Sequence, residues 1–499
     1  MANKIDFTIY APSSGISQSP LVGFQDVRNL DIFSTPGVVK LNNALEKESG
    51  TTIEGQPLWL VKSNASPAKI YCLDAGGVVY ASADSGDSWA KVTGNTAGGA
   101  GQGLAVWKDY LFVAYGNGID VYGPISGTPS WSKAWLALTS DSAFQPMLVS
   151  ALDGNLYVGN GRYVAKIQEN TGQNFAPGTG ATYTATAASL TLPEDYRVKC
   201  LAEQGNNLMI GTWQGTNVYD VKKADIFPWD CSSTTYGQPI QIAECGVHGL
   251  LTINSTLYIL AGVEGMVYKS NGVQAWPIAQ IPQSIADISG GKYLEWYPGA
   301  ICNYKNRLTF GVGEGGSAKT VGGMGVYSVM ETTRGSILNH EHTISTGSDG
   351  SSSIVKVSAL CPVTRDQITV GWKDDTTYGI DRTNTAAYTT SYRGYFITPL
   401  YRIGRNKNPK KMSDIEFQLV KKLATNEGIK VEYRNNLTDS FTTLGTFPYS
   451  TYSVKFIISY LLDLINLGPS GIPSSEFLQL KVSLTGTTTS PQLYALILE

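Results

Sequence analysis

The stretch LFVAYG at residues 111–116 contains the pattern on which the predicted fold depends. Its apolar run, which ends at a glycine, is typical of a buried β-strand. Similar runs that end in small residues recur at 156–159, 208–211, 257–262, 308–311 and 368–371. A recurrence of this kind, spaced by roughly 40 to 60 residues, indicates an internal structural repeat.

A second strand-like run follows most of these stretches. It begins at a glycine and includes a tyrosine, at 77–80, 118–122, 215–219, 265–268 and 325–327. The connections include Asn117-Gly118, Asp153-Gly154 and Asn160-Gly161. These pairs supply the positive φ angles that tight hairpin turns need. Each repeat therefore predicts a meander of strands joined by short turns.

Copies of such a unit must stack, because a small sheet cannot bury both of its faces alone. Several strands per copy are typical of a β-propeller. We therefore predict an all-β protein with a propeller of about seven blades, near residues 57–92, 103–135, 146–170, 198–228, 245–276, 298–330 and 353–384. Six or eight blades stay open because 171–197 and 272–297 are poorly assigned. Two β-sandwiches are the alternative fold.

The composition excludes several classes of protein. The apolar fraction of 42% is too high for a disordered chain, and the 54 glycines lack the three-residue period of collagen. A net charge of −3 without a basic stripe argues against a general nucleic-acid coat protein. Charged residues make up only 15% of the chain, against about 25% in ordinary soluble proteins. The chain is thus short of charge and rich in glycine.

The N-terminus and the cysteines predict the compartment. The first residues show no secretory signal, and the longest apolar run, 456–467, is too short and too polar to span a bilayer. We therefore expect a soluble protein that is made in a cytosol and has no membrane-spanning segment. None of the cysteines forms a CxxC pair, and we expect small, reduced core residues at Cys72, Cys200, Cys231, Cys245, Cys302 and Cys361.

The chain outside the repeats divides into two further predicted segments. Residues 1–50 are expected to form an N-terminal arm with a hairpin at Pro36-Gly37, and residues 51–392 to form the propeller. Residues 393–499 predict a separate antiparallel β-sandwich-like domain, from alternating runs at 415–420, 429–433, 477–482 and 493–498. The run 456–467 fits either a helix or a buried strand.

The most basic stretch of the chain lies near the start of this C-terminal segment. It contains Arg402, Arg405, Lys407, Lys410 and Lys411. These side chains are candidates for contacts with a partner protein or with nucleic-acid phosphates. The alternative is a solvated linker, which is the commoner role of such a run.

One segment resembles the Asp-box of sialidase-type propellers, S-x-D-x-G-x-x-W. Its residues are Ser82, Asp84, Gly86 and Trp89. The resemblance implies a folding element at a blade turn, in which side-chain oxygens accept turn N–H groups and the tryptophan packs between strands. Such a box lies away from the chemistry of those enzymes, so it favours the fold and predicts no activity.

Candidate catalytic motifs are incomplete in this sequence. A sialidase needs an arginine cluster, a tyrosine nucleophile and an acidic partner, but the arginines of the repeats are scattered. The G-x-G-x-x-G at 311–316 is followed by further glycines instead of a helix, so we expect a flexible hairpin loop. Asp374-Asp375 is expected to form a solvated turn.

The histidines predict no metal site. His340 and His342 would share one face of a strand, but no third ligand is visible, and we expect a surface loop. His248 is the remaining histidine of the chain. We accordingly predict no catalytic, cofactor-binding or metal-binding residues, and no enzyme activity.

The order of the segments resembles a family of viral structural proteins. The stretch NLDIFSTPGVVKLN at residues 29–42, followed by a propeller and a terminal β domain, is similar to the tail hub or nozzle proteins of short-tailed bacteriophages. In that family a propeller protein forms a ring, typically sixfold, below the portal and adaptor. The ring surrounds the channel through which DNA leaves the head.

This resemblance implies a structural virion protein of the tail, assembled in the host cytoplasm. Its implied partners are copies of itself in a ring, most simply a hexamer, the portal or adaptor, and fibres or spikes, with DNA passing through the channel. The family has no catalytic motif or cofactor to transfer. The alternatives are a carbohydrate-binding or glycosidase-type propeller and a generic scaffold propeller, which would be a monomer.

Overall fold

The computed structural model forms β-strands joined by turns and loops. It describes residues 5–7, 16, 23–35, 37–50, 52–94, 99–140, 143–170, 182–214, 224–281, 293–316, 322–332, 335–388, 390, 393–402, 410–412, 414–448, 455–457, 460–466, 472–475 and 477–498. These residues contain 45 strands and no helix. The prediction of an all-β protein is confirmed.

The chain divides into two compact units. Residues 46–326 and 344–382 form one, here called the ring unit. Residues 1–45, 327–343 and 383–499 form the other, here called the second unit. The units therefore do not follow the three predicted segments 1–50, 51–392 and 393–499, because the N-terminal residues and an internal segment belong with the C-terminal strands.

The chain begins with short strands. They are β1 (Ile5–Phe7), β2 (Asp26–Arg28), β3 (Leu30–Asp31), β4 (Val39–Leu41), β5 (Asn43–Lys47) and β6 (Ser49–Gly50).

Five antiparallel sheets then follow, and in each the strands lie side by side in chain order. The first contains β7 (Pro57–Lys62), β8 (Ile70–Asp74), β9 (Val79–Ser82) and β10 (Ser88–Lys91), with β6 added in parallel to β10; the second β11 (Gly101–Trp107), β12 (Tyr110–Tyr115), β13 (Gly118–Gly123) and β14 (Ser130–Ala137); the third β15 (Met147–Val149), β16 (Leu156–Asn160), β17 (Tyr163–Glu169) and β18 (Tyr183–Thr191); the fourth β19 (Tyr196–Gln204), β20 (Asn207–Gln214), β21 (Ala224–Trp229) and β22 (Ile240–Ile242); the fifth β23 (Val247–Ile253), β24 (Thr256–Ala261), β25 (Met266–Ser270) and β26 (Ala275–Gln280).

The last two sheets of the ring unit depart from this pattern, and the seventh includes a strand from the N-terminal part of the chain. In the sixth, β27 (Leu294–Glu295) and β28 (Ile301–Tyr304) both pair with β29 (Arg307–Glu314). The chain then passes through β30 (Gly325–Thr332) into the second unit, where it forms β31 (Gly335–His342). The seventh sheet has the order β32 (Val355–Pro362), β33 (Ile368–Asp374), β34 (Thr377–Tyr388) and β5.

Buried apolar clusters join most neighbouring sheets, and β28 and β29 of the sixth sheet contact β23 of the fifth and β32 of the seventh. Leu73 of the first sheet packs in one cluster with Leu111 of the second, and similar clusters join the second to the third, the third to the fourth and the fourth to the fifth. Another cluster joins Cys72 of the first sheet to Ala359 and Ile380 of the seventh. The succession of sheets therefore closes on itself.

A closed ring of antiparallel four-stranded sheets is a β-propeller, as the sequence predicts. Among the described residues, six of the seven successive sheets have at least four paired strands. Only β27, β28 and β29 of the sixth sheet lie wholly within the ring unit, so the blade number stays a prediction. The core position of the cysteines is confirmed for all but Cys245, which is half-buried, and all six are free thiols.

Tyrosines and carboxylates form hydrogen bonds in several blades. Tyr115 donates to Asp120 Oδ1 at 2.8 Å and Tyr157 to Asp153 Oδ2 at 2.7 Å. Tyr268 donates to Glu244 Oε1 at 2.9 Å. A tyrosine ring fills the space between sheets while its hydroxyl keeps a partner. This use explains part of the high tyrosine content.

The second unit contains the remaining strands. They are β35 (Gly394–Ile397), β36 (Tyr401–Arg402), β37 (Lys410–Met412), β38 (Asp414–Leu419), β39 (Gly428–Arg434), β40 (Thr442–Pro448), β41 (Lys455–Ile457), β42 (Tyr460–Asn466), β43 (Ile472–Ser475), β44 (Phe477–Thr485) and β45 (Gln492–Leu498). In the run 456–467, for which helix and strand were both open, residues 456–457 and 460–466 form strands, and the others lie outside the described residues.

Two sheets make up most of the second unit. One has the order β3-β4-β45-β38-β42-β41, and the other contains β31-β2-β35-β44-β39-β40. A methyl group at Gly394 of the second sheet would lie 2.3 Å from the Leu41 side chain of the first, so the sheets pack face to face. This is the predicted sandwich-like arrangement, but β2, β3 and β4 from the N-terminus are built into it.

Gly103 tests the packing between neighbouring sheets. A Cβ at this position would lie 1.9 Å from the backbone oxygen of Gln145. Because backbone cannot move aside easily, we expect Gly103→Ala to lower the free energy of unfolding by about 2 kcal/mol or more in urea titrations. Gly99→Ala is the matched control, since a Cβ at Gly99 meets nothing within 4 Å. Equal unfolding midpoints for both variants would contradict the described contact.

The seventh sheet contains two carboxyl groups that resist ionisation. Glu48 follows β5, donates its N–H to Ile380 O at 2.9 Å and accepts the Ile380 N–H at 2.7 Å. Burial raises the pKa of Glu48 to about 7 although the Ile380 hydrogen bond lowers it. Burial likewise raises the pKa of Asp381 to about 6, although Ser345 donates two hydrogen bonds to it.

We expect the stability of the ring unit to fall as the pH rises from about 4.5 to about 7. Both carboxyls bind protons more tightly in the folded chain, so their contribution is present at low pH and is lost through the folded pKa values. Glu48→Gln should reduce the total loss of unfolding free energy over this pH range by about 1–2 kcal/mol in urea titrations, allowing for partial exposure. The control Glu264→Gln, at an exposed position, should keep the wild-type slope. A wild-type slope in Glu48→Gln would show that this carboxyl does not titrate as described.

Candidate functional site

The innermost strands of the ring carry a β-bulge at a shared register. The first strands of five sheets, β7, β11, β19, β23 and β32, each contain one extra residue that is not paired. The neighbouring residues on either side of it pair with two consecutive residues of the next strand. The extra residues are Leu58, Gln102, Lys199, His248 and Ser358. A bulge re-aims a side chain and is common beside functional sites. These residues therefore mark one level of the ring.

The third sheet places Gln145 at the same level. Gly159 N donates to Pro146 O at 2.9 Å, which continues the pairing of β15 and β16 by one residue. Gln145 N donates to Gln102 O at 2.9 Å, so the two glutamines are neighbours across adjacent sheets. We call Gln102, Gln145, Lys199 and His248 the axial cluster, because they belong to the innermost parts of four consecutive sheets.

The axial cluster is buried. Lys199 is 8% exposed, His248 is 7% exposed, Gln102 is 8% exposed and Gln145 is fully buried. Lys199 Nζ lies 4.8 Å from the centroid of the Phe144 ring, a cation–π contact. Few soluble proteins bury a lysine without a close counter-ion.

Burial governs the charge of the two basic groups. Burial lowers the pKa of Lys199 to about 8, although Glu295 opposes this shift. Burial, together with the nearby Lys199 charge, holds the pKa of His248 well below its ordinary value, so its imidazole is neutral at pH 7. Glu295 accepts a hydrogen bond from Lys356 Nζ at 2.7 Å, which occupies this carboxylate. The cluster thus contains a lysine ammonium whose pKa is lowered, at Lys199, and an uncharged imidazole, at His248.

Three buried atoms of the axial cluster lack partners. Among the described residues, no donor lies within hydrogen-bond distance of Gln102 Oε1 or Gln145 Oε1, and His248 Nδ1 also has no partner. The Gln145 amide is oriented, since its Nε2 donates to Gly116 O. Unpartnered buried polar atoms in native proteins mark places where water or a ligand completes the bonding.

Sequence reasoning did not find this cluster. Gln102, Gln145 and Lys199 are isolated polar residues in or beside apolar strands, and His248 was noted without a role. The bulges depend on pairing between strands, so no local sequence pattern predicts them.

The predicted Asp-box residues form a tight turn between β9 and β10. Ser82 Oγ donates to Asp84 Oδ1 at 2.7 Å and accepts from Gly86 N at 2.9 Å. Asp84 Oδ1 also accepts from Asp87 N and Ser88 N, at 3.1 and 2.9 Å. Burial raises the pKa of Asp84, but the hydrogen bonds from Ser82 and Ser88 outweigh it and set the pKa at about 2.

Trp89 completes this turn. Its indole N–H donates to Gly86 O at 3.3 Å, and its side chain is buried in the cluster that joins the first and seventh sheets. The residues thus form a hydrogen-bonded turn, while its identity as an Asp-box stays a prediction. The axial cluster, defined as Gln102, Gln145, Lys199 and His248, includes no residue of this turn.

The structure places the basic run only in part. Arg402 lies on β36, and Lys410 and Lys411 lie on β37. Arg405 and Lys407 lie outside the described residues. The predicted partner or phosphate contacts of these five residues stay a prediction.

Two predicted loops are strands. His340 and His342 are buried on β31, and the His340 ring packs edge-on against Tyr327 with centroids 4.8 Å apart. The surface-loop prediction is wrong because β31 lies inside a sheet, next to β2. Residues 311–314, predicted as a flexible loop, are the buried end of β29, while 317–321 lie outside the described residues.

The predicted turn at Asp374-Asp375 is confirmed. Asp375 has a φ of 51° and accepts from Ile354 N at 2.8 Å, and Asp374 accepts from Thr346 Oγ1 at 2.9 Å. These carboxylates shape connections between strands.

The described residues offer neither a cluster of metal ligands nor a membrane-spanning helix. They contain no group of three or more histidine, cysteine or carboxylate side chains placed to hold a metal ion. They also contain no helix long and apolar enough to cross a membrane.

Comparisons with known proteins give weak similarities only. No protein family and no curated protein matches the sequence. Similar solved structures include YCF48 bound to D1 peptide, with 9% identity, 75% of this chain and 100% of that chain covered and a TM-score of 0.45. YCF48 from Cyanidioschyzon merolae has 10% identity, covers 68% and 99%, and has a TM-score of 0.45.

An exo-beta-1,3-galactanase from Phanerochaete chrysosporium is also similar, with 8% identity, 92% of this chain and 100% of that chain covered and a TM-score of 0.32. At these identities and TM-scores, no activity, substrate or partner is transferred to this chain.

Asp84 tests the structural role of the turn. We expect Asp84→Ala to lower the free energy of unfolding by about 1–2 kcal/mol, because several N–H and O–H donors lose their acceptor. Chemical unfolding followed by tryptophan fluorescence measures this loss. The exposed Asp195 supplies the control Asp195→Ala, which should stay within about 0.5 kcal/mol of the wild type. Equal losses in the two variants would show that the turn does not depend on Asp84.

Proposed function

We propose that this protein is a structural component of a bacteriophage tail, of the hub or nozzle type. In this role it forms part of the ring around the DNA exit channel and docks other tail proteins. The observation that carries the proposal is the position of residues 29–42, the stretch that resembles that family. In this structure, the stretch is a strand-turn-strand element on which the second unit depends.

Asn29 and Asn42 fix the two ends of this element. Asn29 has a φ of 54°, and its amide donates to Thr343 Oγ1 at 3.1 Å and Arg393 O at 3.0 Å. Asn42 Nδ2 lies within hydrogen-bond distance of Leu30 O, Glu341 O and Glu341 Oε2, at 3.1, 2.9 and 2.8 Å. Each asparagine thus ties the N-terminal element to chain segments some 300 residues away.

Asp31 shapes the turn between these ends. Its Oδ1 accepts from Phe33 N at 3.0 Å and from Ser34 N at 2.9 Å, and its Oδ2 lies 3.4 Å from Lys40 Nζ. Burial raises the pKa of Asp31, but these hydrogen bonds and Lys40 lower it below its ordinary value overall. The residues that carry the resemblance are therefore structural, as a shared building element requires.

The remaining features that support the proposal concern surfaces and chemistry. The carboxylates Asp84, Asp374 and Asp375 act as hydrogen-bond acceptors in turns. A charged fraction of 15% suits subunits that pack closely in an assembly, since it limits repulsion between them. We propose a homo-oligomeric ring, most simply a hexamer, located in the virion and assembled in the host cytoplasm, without enzyme activity.

Purified phage particles test the proposal. The particles are those of the phage whose genome encodes this chain. We expect mass spectrometry of these particles to detect the chain as a major protein, together with portal and capsid proteins. A non-structural phage enzyme from the same lysate is the control, and it should be depleted on purification. Absence of the chain from intact particles would refute a tail role.

The alternative carbohydrate-binding propeller makes a different prediction. It requires binding of the recombinant chain to defined glycans on an array, whereas a tail hub requires none. Binding to glycans together with absence from particles would replace the proposed function by this alternative.

A further inference from the structure

We propose that the axial cluster binds a small, neutral, polyhydroxylated molecule, a polyol or a monosaccharide. The site consists of Gln102, Gln145, Lys199 and His248, which come from four consecutive sheets. It is independent of the tail role, because a structural ring needs no ligand.

The bonding groups of the cluster select the chemistry of the ligand. Gln102 Oε1 and Gln145 Oε1 need donors, whereas a lysine ammonium such as that of Lys199 has only donors and pairs with acceptors. A carboxylate or a fully ionised phosphate ester has no proton to donate to the two amide oxygens, and a cation would be repelled by Lys199. A hydroxyl group both donates and accepts, so it satisfies both kinds of partner at once.

The neutral imidazole fits the same ligand. Burial and the Lys199 charge keep His248 uncharged at pH 7, and its Nδ1 has no partner among the described residues. A neutral ring nitrogen pairs with a hydroxyl as donor or as acceptor. Gln102 Oε1, Gln145 Oε1 and His248 Nδ1 therefore each need a hydrogen-bond partner. A molecule with several hydroxyl groups can supply these partners together.

The polar groups occupy only part of the ring. At the equivalent bulges of the first and seventh sheets stand Leu58, which is apolar, and Ser358, whose hydroxyl already donates to Pro57 O. Among the residues at these inner positions, the unpartnered atoms belong to Gln102, Gln145 and His248, on the arc from the second to the fifth sheet. A buried polar atom that stays unbonded destabilises the fold, so three such atoms at equivalent inner positions indicate a site and not a requirement of the ring.

Binding of defined probes to the full-length protein tests this inference. Glycerol, D-glucose and D-galactose are titrated by saturation-transfer NMR and by calorimetry. We expect at least one of them to bind the wild type, and Gln102→Leu and Lys199→Met to weaken that binding about tenfold or more. The exposed Lys91 supplies the control Lys91→Met, which should bind as the wild type does.

Thermal unfolding shows which variants are folded, and only folded variants are compared. If Lys199→Met does not fold, Gln102→Leu alone decides, since it removes one amide at similar volume. No binding of any probe at millimolar concentration by the folded wild type would overturn the inference. Equal affinity of wild type and Gln102→Leu would also overturn it, as would a probe-soaked crystal whose axial cluster holds water molecules only. None of these results bears on the presence of the chain in particles.

Discussion

The ring unit depends on the burial of two apolar faces by every sheet. A four-stranded sheet such as β11–β14 packs Leu104 and Leu111 on one side and Phe112 and Val121 on the other, in two different clusters. Burial of such side chains stabilises by about 1.5–3 kcal/mol each, so no sheet can leave a face in water. Closure between the seventh and first sheets is therefore an energetic requirement. Trp89 and its turn lie at that closure.

The same constraint explains where the polar groups are found. Some polar side chains within the blades bond to neighbouring side chains, as Asp120 does to Tyr115, and others lie in the turns and at the innermost bulges. In the turns they accept backbone N–H groups, as Asp84 and Asp375 do. At the inner bulges the geometry offers fewer backbone partners, and Gln102, Gln145 and His248 keep unpartnered atoms. The proposed ligand site is a consequence of this division.

The second unit shows a different dependence, on segments far apart in the chain. Strand β2 lies between β31 and β35, and β4 lies between β3 and β45. Hairpin signals in the sequence concern neighbours along the chain, so they predicted the ring meanders well and missed this exchange. The pattern at 29–42 did suggest a special element, but its partners Glu341 and Arg393 had no signal that linked them to it.

The sequence by itself determined the all-β class, the repeat, most inner strands and the turn at Ser82–Trp89, because alternating apolar runs, glycine turns and a local hydrogen-bonding motif act over short distances. Only the tertiary structure decided that His340 and His342 are buried, that residues 1–45 belong with the C-terminal strands, and that Gln102, Lys199 and His248 stand at bulges of the inner strands. These features depend on which strands pair and in what register. That choice is made by the packing of distant segments, which no local pattern encodes.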